Sequence, residues 1–159
     1  MTPVLRPIIP ADDPHVARII RTVMPQFGAV GPGFAINDPE VDAMYAEYTK
    51  PRSRYYVVEV DGAVLGGGGV APLAGGDAGT CELKKMYFLP DLRGQGIGER
   101  LLRMLLDDAR AFGFTTMYLE TLTGMDAAKK LYAKMGFTST CRAGATGHHG
   151  CDSFFSRAL

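Results

Sequence analysis

Three glycines separate an arginine from a leucine-rich segment in "LRGQGIGERLL", residues 92–102. Helical spacing begins within this stretch, so the glycines lie at a predicted helix N-terminus, where free amides and the helix dipole attract anions. The missing Cβ atoms of Gly94, Gly96 and Gly98 allow a phosphate oxygen to come close to those amides. Arg93 adds a positive charge nearby. The pattern favours a phosphate-binding loop, with an ordinary glycine-rich turn as the alternative.

Two common nucleotide-binding loops do not fit this stretch. A dinucleotide-binding G-x-G-x-x-G motif that starts at Gly94 needs a glycine at position 99, which is Glu99. A P-loop needs Lys and then Ser or Thr after its last glycine, whereas Gly98 is followed by Glu99 and Arg100. The phosphate carrier is therefore of another class.

The elements that position this loop give a mixed α/β chain. Residues 54–60 and 63–73 predict a hairpin around the type I′ turn Asp61-Gly62, and Gly66 to Gly69 within it predict a bulge or a close backbone approach. We find no repeat and no interdomain linker, so residues 1–159 are expected to form a single domain. The other predicted elements are a short edge strand at 4–9, strands at 80–89, 115–122, 136–143 and 151–159, and helices at 13–24, 38–49, 97–112 and 125–135.

Two motifs in this order resemble the acyl-CoA N-acyltransferases of the GNAT superfamily. The first is "ELKKMYFLPDLRGQGIGERLL", in which Phe88-Leu89-Pro90 ends a strand and Arg93, Gly96 and Gly98 fill the family's Arg/Gln-x-x-Gly-x-Gly/Ala pattern. The second, some forty residues later, is "AAKKLYAKMGF". The pair is more specific than either motif alone, and the resemblance covers residues from about 65 to 137.

The resemblance implies the fold and the cosubstrate. It implies an α/β fold with a mixed, mostly antiparallel central sheet that splays between its fourth and fifth strands and carries helices on both faces. Acetyl-CoA is expected in this V, with its pantetheine along the end of the fourth strand and its pyrophosphate on the amides of residues 94–98. The expected cofactor-binding residues are Met86, Tyr87, Phe88, Arg93, Gly94, Gln95, Gly96, Ile97 and Gly98.

The resemblance also implies direct transfer of the acetyl group to an amine, which needs a general base and a proton or hydrogen bond for the departing thiolate. Glu82 occupies the position where several family members carry a glutamate base, and a half-buried cleft would raise the pKa of its carboxyl. Simple strand alternation places it on one side with Lys84, Met86 and Phe88. The alternative is a surface carboxylate paired with Lys84.

Tyr132, in the Leu-Tyr motif, is the expected donor to the CoA sulfur, although it also belongs to an apolar helix stripe. Glu120 on the facing strand is a competing base. His148 and His149, in the last loop, are candidates for the acceptor pocket. The Asn that many family members use to hold pantetheine is replaced by Met125.

A zinc site formed by Cys141, Cys151 and the two loop histidines is disfavoured, because this spacing matches no common structural site. We therefore predict that the chain has no metal. The odd number of cysteines without CxxC spacing favours reduced thiols.

Composition restricts the partners. Seventeen basic and seventeen acidic residues give a net charge of +0, which argues against nucleic acid or an anionic membrane surface. The sequence has neither signal-peptide nor membrane-span character, so a cytoplasmic location is expected. The predicted function is N-acetyltransfer to a primary amine of a small molecule or peptide, and the alternative is a non-catalytic acyl-CoA-binding sensor. A homodimer is expected from the family resemblance alone.

Overall fold

A computed structural model describes residues 2–29, 31, 33–122 and 124–159. Within these residues, seven strands and four α-helices follow one another. They are β1 (Val4–Pro7), α1 (Asp13–Gln26), α2 (Met44–Tyr48), β2 (Arg54–Val60), β3 (Ala63–Pro72), β4 (Thr80–Phe88), α3 (Ile97–Ala111), β5 (Thr116–Thr121), α4 (Asp126–Lys134), β6 (Thr138–Ser139) and β7 (Ser153–Ala158).

The strands form one sheet in the order β1-β2-β3-β4-β5-β7-β6. Every neighbouring pair is antiparallel except β4 and β5, which are parallel. The mostly antiparallel mixed sheet predicted for the chain is therefore confirmed. The turn between β2 and β3 is also as expected, since Asp61 and Gly62 both have positive φ, at 50° and 83°.

Helices cover both faces of the sheet and create two apolar cores. On one face, α1 and α2 bury residues such as Ile20 and Met44. On the other, α3 and α4 bury residues such as Leu101 and Tyr132 against the centre of the sheet. In α3 the apolar spacing read from the sequence is the buried stripe, and Gly113 follows its end with a φ of 89°.

A β-bulge in β4 overturns the predicted alternation. Gly67 pairs with Tyr87 and Gly69 with Lys84, so β4 contributes one extra residue to this pairing, and Lys85 has a φ of 51°. As a result Met86 and Phe88 join the α3 core, whereas Glu82 and Lys84 lie on the opposite face. The prediction that these four side chains share one side was wrong because the bulge reverses the facing of the strand.

The glycine run of β3 leaves room for the Tyr55 ring, which packs beside the bulge. Cβ atoms on Gly67 and Gly69 would lie only 2.6 and 2.5 Å from ring carbons of Tyr55, whose hydroxyl donates to the carbonyl of Lys85 at 2.8 Å. The close approach expected at this run is therefore confirmed, whereas the bulge in this pairing lies in β4.

Two elements differ in extent between the sequence prediction and the structure. The helix expected over 38–49 is a 3₁₀ turn (Pro39–Asp42) and the short α2, separated at Ala43, whose φ of −140° is not helical. The strand expected over 136–143 is only the two-residue β6, and β7 lies between it and β5. In the first segment, Asp38 and Glu40 make tertiary contacts with Lys85 that override the local helix propensity.

Candidate active site

The sheet opens beside Glu82. Strands β4 and β5 pair only from Thr80 to Glu82, with Glu82 opposite Tyr118 as the last partner. Beyond this point the two strands separate, while β4 stays paired with β3. The splay predicted between the fourth and fifth strands is present, and it leaves one backbone edge of β4 open from Leu83 to Phe88.

Two connected spaces occupy this opening. The outer cleft, of about 440 Å³, lies between the end of β4, the start of α3 and the α4 helix. The inner cavity, of about 70 Å³, reaches from there towards the α1 face. Met86, Tyr87, Met125, Ala128 and Tyr132 line both spaces and mark their junction.

The glycine loop forms the wall of the outer cleft. Gly94 and Gly96 both have a φ of 76°, a conformation that side chains disfavour, and no described atom lies within 4 Å of where their Cβ atoms would be. Gly96 precedes the first residue of α3, and the first bond of the helix runs from the Arg100 amide to the Gly96 carbonyl at 3.2 Å. The amides of residues 97–99 therefore have no acceptor within the helix and can bind an anion.

The other residues of the motif have distinct positions. Gly98 allows close helix packing, because a Cβ there would lie 3.1 Å from Cδ2 of Leu131. Arg93 lines the cleft, and its guanidinium bonds the Phe88 carbonyl and the Gln26 side chain, both at 3.0 Å. The Gln95 side chain turns back to the Asp91 carbonyl at 2.8 Å, so only its backbone is available to a ligand.

Of the residues expected to bind the cofactor, Gln95 alone does not line the outer cleft. Those that line it are Met86, Tyr87, Phe88, Arg93, Gly94, Gly96, Ile97 and Gly98.

Glu82 lines the inner cavity and is only 5% exposed. No described group forms a hydrogen bond or an ion pair with its carboxylate, and Lys84, the expected surface partner, instead pairs with Glu40 at 3.3 Å. Burial, with a smaller contribution from the neighbouring charge of Glu120, raises the pKa of Glu82 to about 7 against the opposing charges of Lys84 and His148. Glu82 is therefore a buried carboxylate, not a surface carboxylate paired with Lys84.

Glu120 also lines the inner cavity, with a side chain 2% exposed. Its two oxygens accept hydrogen bonds from the hydroxyls of Tyr118 and Thr146, each at 2.7 Å. These bonds occupy the Glu120 carboxylate, whereas Glu82 keeps both oxygens free of described partners.

The two histidines of the last loop differ. His148 is buried, lines the inner cavity, and has Nε2 at 2.9 and 2.8 Å from the two carboxylate oxygens of Asp38. His149 is exposed, lies outside the cavity lining, and packs its ring where a Cβ on Gly33 would be. Only His148 is brought to the predicted site.

Tyr132 lies at the junction of cleft and cavity and is 7% exposed. Burial raises the pKa of its hydroxyl to about 12, so the group keeps its proton at neutral pH. No described residue forms a hydrogen bond with this hydroxyl. It is therefore available as a donor, although its ring also packs at the edge of Phe137. Met125, which replaces the family's Asn, lines both spaces and accepts from the Thr121 hydroxyl at 3.2 Å.

A network of buried charges was missed in the sequence. Lys85, with a side chain 1% exposed, bonds Asp38 at 2.7 Å and Glu40 at 3.0 Å. Tyr48 donates to Glu40 at 2.7 Å. The two adjacent lysines within an otherwise apolar strand, "CELKKMYF", were the available signal, because buried lysines require partners.

Glu82, Glu120 and His148 form the one group of three possible metal ligands in the described part of the chain, with ligand atoms within 4.8 Å of one another. Neither cysteine of the disfavoured zinc combination belongs to it; Cys141 is exposed and Cys151 lines the inner cavity. Two carboxylates and an imidazole at this spacing can also exchange a proton.

A splayed mixed sheet with a glycine-lined helix N-terminus and a buried carboxylate beside the opening is the arrangement expected above for the acyltransferase class. The acetyltransferase (GNAT) family model matches residues 17–137, and the chain belongs to this family. It is 42% identical, over 99% of its own length and 96% of the relative's, to the uncharacterized N-acetyltransferase YjgM of Escherichia coli.

Solved structures of acetyltransferases share this fold. A GNAT-family acetyltransferase from Staphylococcus aureus superposes with a TM-score of 0.86 at 17% identity and 99% coverage of both chains. A phosphinothricin acetyltransferase from Sinorhizobium meliloti, in complex with acetyl-CoA, superposes with a TM-score of 0.81 at 26% identity, covering 100% of this chain and 89% of that one. The chain is an acyl-CoA-dependent N-acetyltransferase rather than a non-catalytic module. In the described residues, no helix has the length and apolarity needed to cross a membrane.

Proposed function

We propose that this enzyme transfers an acetyl group from acetyl-CoA to a primary amine of a small molecule or peptide, with Glu82 as general base and Tyr132 as the donor to the leaving group. The observation that carries the proposal is the free, buried Glu82 carboxylate in a small cavity that joins the outer cleft at Tyr132.

The outer cleft suits the cosubstrate. Its glycine wall leaves open space at Gly94 and Gly96 for pyrophosphate oxygens against the amides of residues 94–98. The open edge of β4 at Met86, Tyr87 and Phe88 can bind an extended amide chain such as pantetheine. These contacts would direct the thioester to the junction with the inner cavity.

The chain's own residues then supply the acid–base chemistry. Acetyl-CoA supplies an activated acetyl thioester. Glu82 takes a proton from the amine nitrogen, directly or through one water, as that nitrogen forms its bond to the acetyl carbon. The Tyr132 hydroxyl donates to the sulfur as the carbon–sulfur bond breaks. Glu120 and His148 line the acceptor side of the cavity, and no cysteine nucleophile is required.

Three further expectations accompany this function. Strands from both ends of the chain share one sheet, which supports a single domain over residues 1–159. A cytoplasmic location and a homodimer are expected from the sequence and the family respectively. Light scattering after size-exclusion chromatography measures the oligomeric state.

A panel of primary amines, amino acids and short peptides tests the function. Wild-type enzyme and acetyl-CoA are incubated with each member, while released thiol and acetylated product are measured by absorbance and mass spectrometry. We expect stoichiometric thiol and N-acetyl product with at least one member, and a large loss in Glu82→Gln. Full activity of Glu82→Gln would contradict the assignment of the base.

A further inference from the structure

The buried base has to be cleared of its proton after every turnover. Glu82 is only 5% exposed, so a proton taken from the acceptor has to leave through the groups and waters of the inner cavity. The groups around it decide where that proton goes. Of the neighbouring side chains, His148 has an unoccupied basic atom facing the cavity.

The contact between His148 and Asp38 determines which nitrogen that is. Nε2 lies within 2.9 Å of both Asp38 oxygens, and an ionised carboxylate can only accept hydrogen bonds, so Nε2 carries the hydrogen. Neutral imidazole has a single N–H, which leaves Nδ1 as the acceptor. Nδ1 is 3.9 Å from Glu120 Oε1, too far for a hydrogen bond, and therefore remains free.

The distances between these groups and their exposure indicate the path of the proton from Glu82. Glu82, Glu120 and one ring nitrogen of His148 have ligand atoms within 4.8 Å of one another, a gap that one water bridges. The exposed fraction of the side chain is 10% at His148 and 20% at Asp38. The groups thus lead from the enclosed carboxylate towards solvent.

We propose that His148, oriented by Asp38, receives the proton from Glu82 and releases it to solvent. This inference rests on the proposed function of Glu82. The O–H bond of the protonated Glu82 breaks and an N–H bond forms at Nδ1, which leaves Glu82 ionised and His148 as an imidazolium beside the Asp38 carboxylate. The N–H bond at Nδ1 then breaks to a cavity water that exchanges with solvent, which restores the neutral tautomer with its hydrogen on Nε2. The CoA sulfur leaves as a thiolate that accepts a hydrogen bond from Tyr132, so acetylation of a neutral amine releases one proton.

The surrounding charges keep the Asp38 carboxylate ionised beside His148. Burial alone would raise the pKa of Asp38, but the His148 hydrogen bond and the charge of Lys85, 2.7 Å away, hold it below its ordinary value. Lys85 and Lys84 in β4, Glu40 before α2, and Glu82 and Glu120 are the other charged groups in this network. An ionised Asp38 selects the tautomer with a free Nδ1.

The loop also fixes the ring in place through its backbone. The Thr146 hydroxyl accepts from the His148 amide at 3.1 Å. The Arg142 guanidinium donates to the carbonyls of His148 and Cys151 at 3.1 and 2.9 Å. His148 is therefore a positioned group rather than a mobile surface histidine.

A first experiment needs no acceptor. Nitrogen-15 NMR of the imidazoles is simple because the chain has 3 histidines, and His148→Gln identifies the relevant signals. We expect the neutral form of His148 to carry its hydrogen on Nε2 in the wild type and to lose this preference in Asp38→Asn. A neutral form with the hydrogen on Nδ1 would overturn the proposal.

A second experiment uses any amine that the wild type acetylates. His148→Gln keeps an amide N–H for Asp38 but cannot take up a proton, so kcat should fall about 10- to 100-fold with an unchanged KM for acetyl-CoA. In His148→Ala, added imidazole should restore kcat in proportion to its neutral form. The exposed His15→Gln is the matched control and should keep wild-type kcat.

A wrong role for His148 and a wrong proposed function would give different results. Wild-type kcat in His148→Gln, or no rescue of a His148→Ala variant that unfolds at the wild-type temperature, would overturn the role of His148. Failure of the wild type to acetylate any amine would instead count against the proposed function, and the NMR result would be unaffected.

Discussion

The outer cleft and the inner cavity are built in opposite ways. The cleft offers a ligand mainly backbone groups, from one continuous loop in which Gly94 and Gly96 adopt positive φ just before α3. The cavity is instead lined by side chains from distant segments: Glu82 and Lys85 in β4, Glu120 in β5 and His148 before β7. Asp38 and Glu40, before α2, pair with Lys85 and His148 from behind this lining. Anion binding can thus be encoded locally, whereas a tuned base depends on the assembled fold.

The electrostatic difference follows from this construction. The cleft presents free amides, a helix dipole and Arg93, all of which favour a negatively charged ligand. The cavity holds carboxylates away from water, and Glu82 alone among them lacks a described hydrogen-bond partner. We therefore expect substitutions in the cleft to change cosubstrate affinity and those in the cavity to change the rate of transfer.

The largest expected effect is that of Glu82→Gln on the rate. Loss of the general base should lower kcat/KM for the amine about 10²- to 10⁴-fold. Glu120→Gln should cost less, because both Glu120 oxygens are already held by hydroxyl groups. Steady-state kinetics on both variants measures this, and a greater loss in Glu120→Gln would make Glu120 the base.

In the outer cleft, Gly96→Glu should weaken acetyl-CoA binding about 100-fold. The substitution places a strained and negatively charged side chain where the pyrophosphate is expected. Gly113→Glu is a matched control at the opposite end of α3. Gly113 also has a positive φ, 89°, in open space. Equal loss of affinity in both variants would attribute the effect to backbone strain instead.

The burial of Glu82 also predicts a pH-dependent change in stability. Because burial raises its pKa to about 7, the folded protein keeps a proton that the unfolded chain releases near 4.5. The resulting cost to stability is absent below the unfolded pKa and complete above the folded one. Glu82→Gln should therefore raise the free energy of unfolding by about 2–3 kcal/mol near pH 8 and change it little near pH 4.

Urea unfolding at the two pH values measures this difference. A Gln variant that is less stable than wild type near pH 8 would show that the ionised Glu82 is stabilised in the fold. Glu47→Gln, which alters an exposed ion pair with Lys50, serves as the control.

The smallest effect expected is that of Tyr132→Phe. Removing the hydroxyl should lower kcat about 10-fold, because a thiolate leaves without full protonation, and should not change the affinity for acetyl-CoA. Kinetics and calorimetry together separate these quantities. A large loss of affinity without a change in kcat would assign Tyr132 to packing rather than to the leaving group.

The sequence predicted the geometry of the outer cleft well because its determinants are local. The helix periodicity after Ile97, the positive-φ glycines before it and the Leu-Tyr motif each depend on neighbouring residues. The hairpin at Asp61-Gly62 was predictable for the same reason. The hydrogen bond from the Gln95 side chain to the Asp91 carbonyl was not predicted, because it depends on the path of the folded chain.

The acceptor side was predictable only in part. Glu82 and His148 were found as single residues, but the bulge at Lys85 was not, because a positive φ at lysine has no local signature. Tyr55 and the acidic partners of Lys85 stabilise the bulge through contacts distant in sequence. Asp38 was predicted only as the first residue of a helix over 38–49, and its side chain bonds Lys85 and His148.

Calorimetric titration of acetyl-CoA into wild type, Gly96→Glu and Glu82→Gln tests most directly whether the outer cleft binds the cosubstrate independently of the inner cavity. It requires no knowledge of the acceptor. The account predicts saturable binding by the wild type, the same affinity in Glu82→Gln, and a loss of binding in Gly96→Glu. Unchanged binding in Gly96→Glu, or its loss in Glu82→Gln, would contradict the claim that the glycine loop binds the cosubstrate and the inner cavity performs the chemistry.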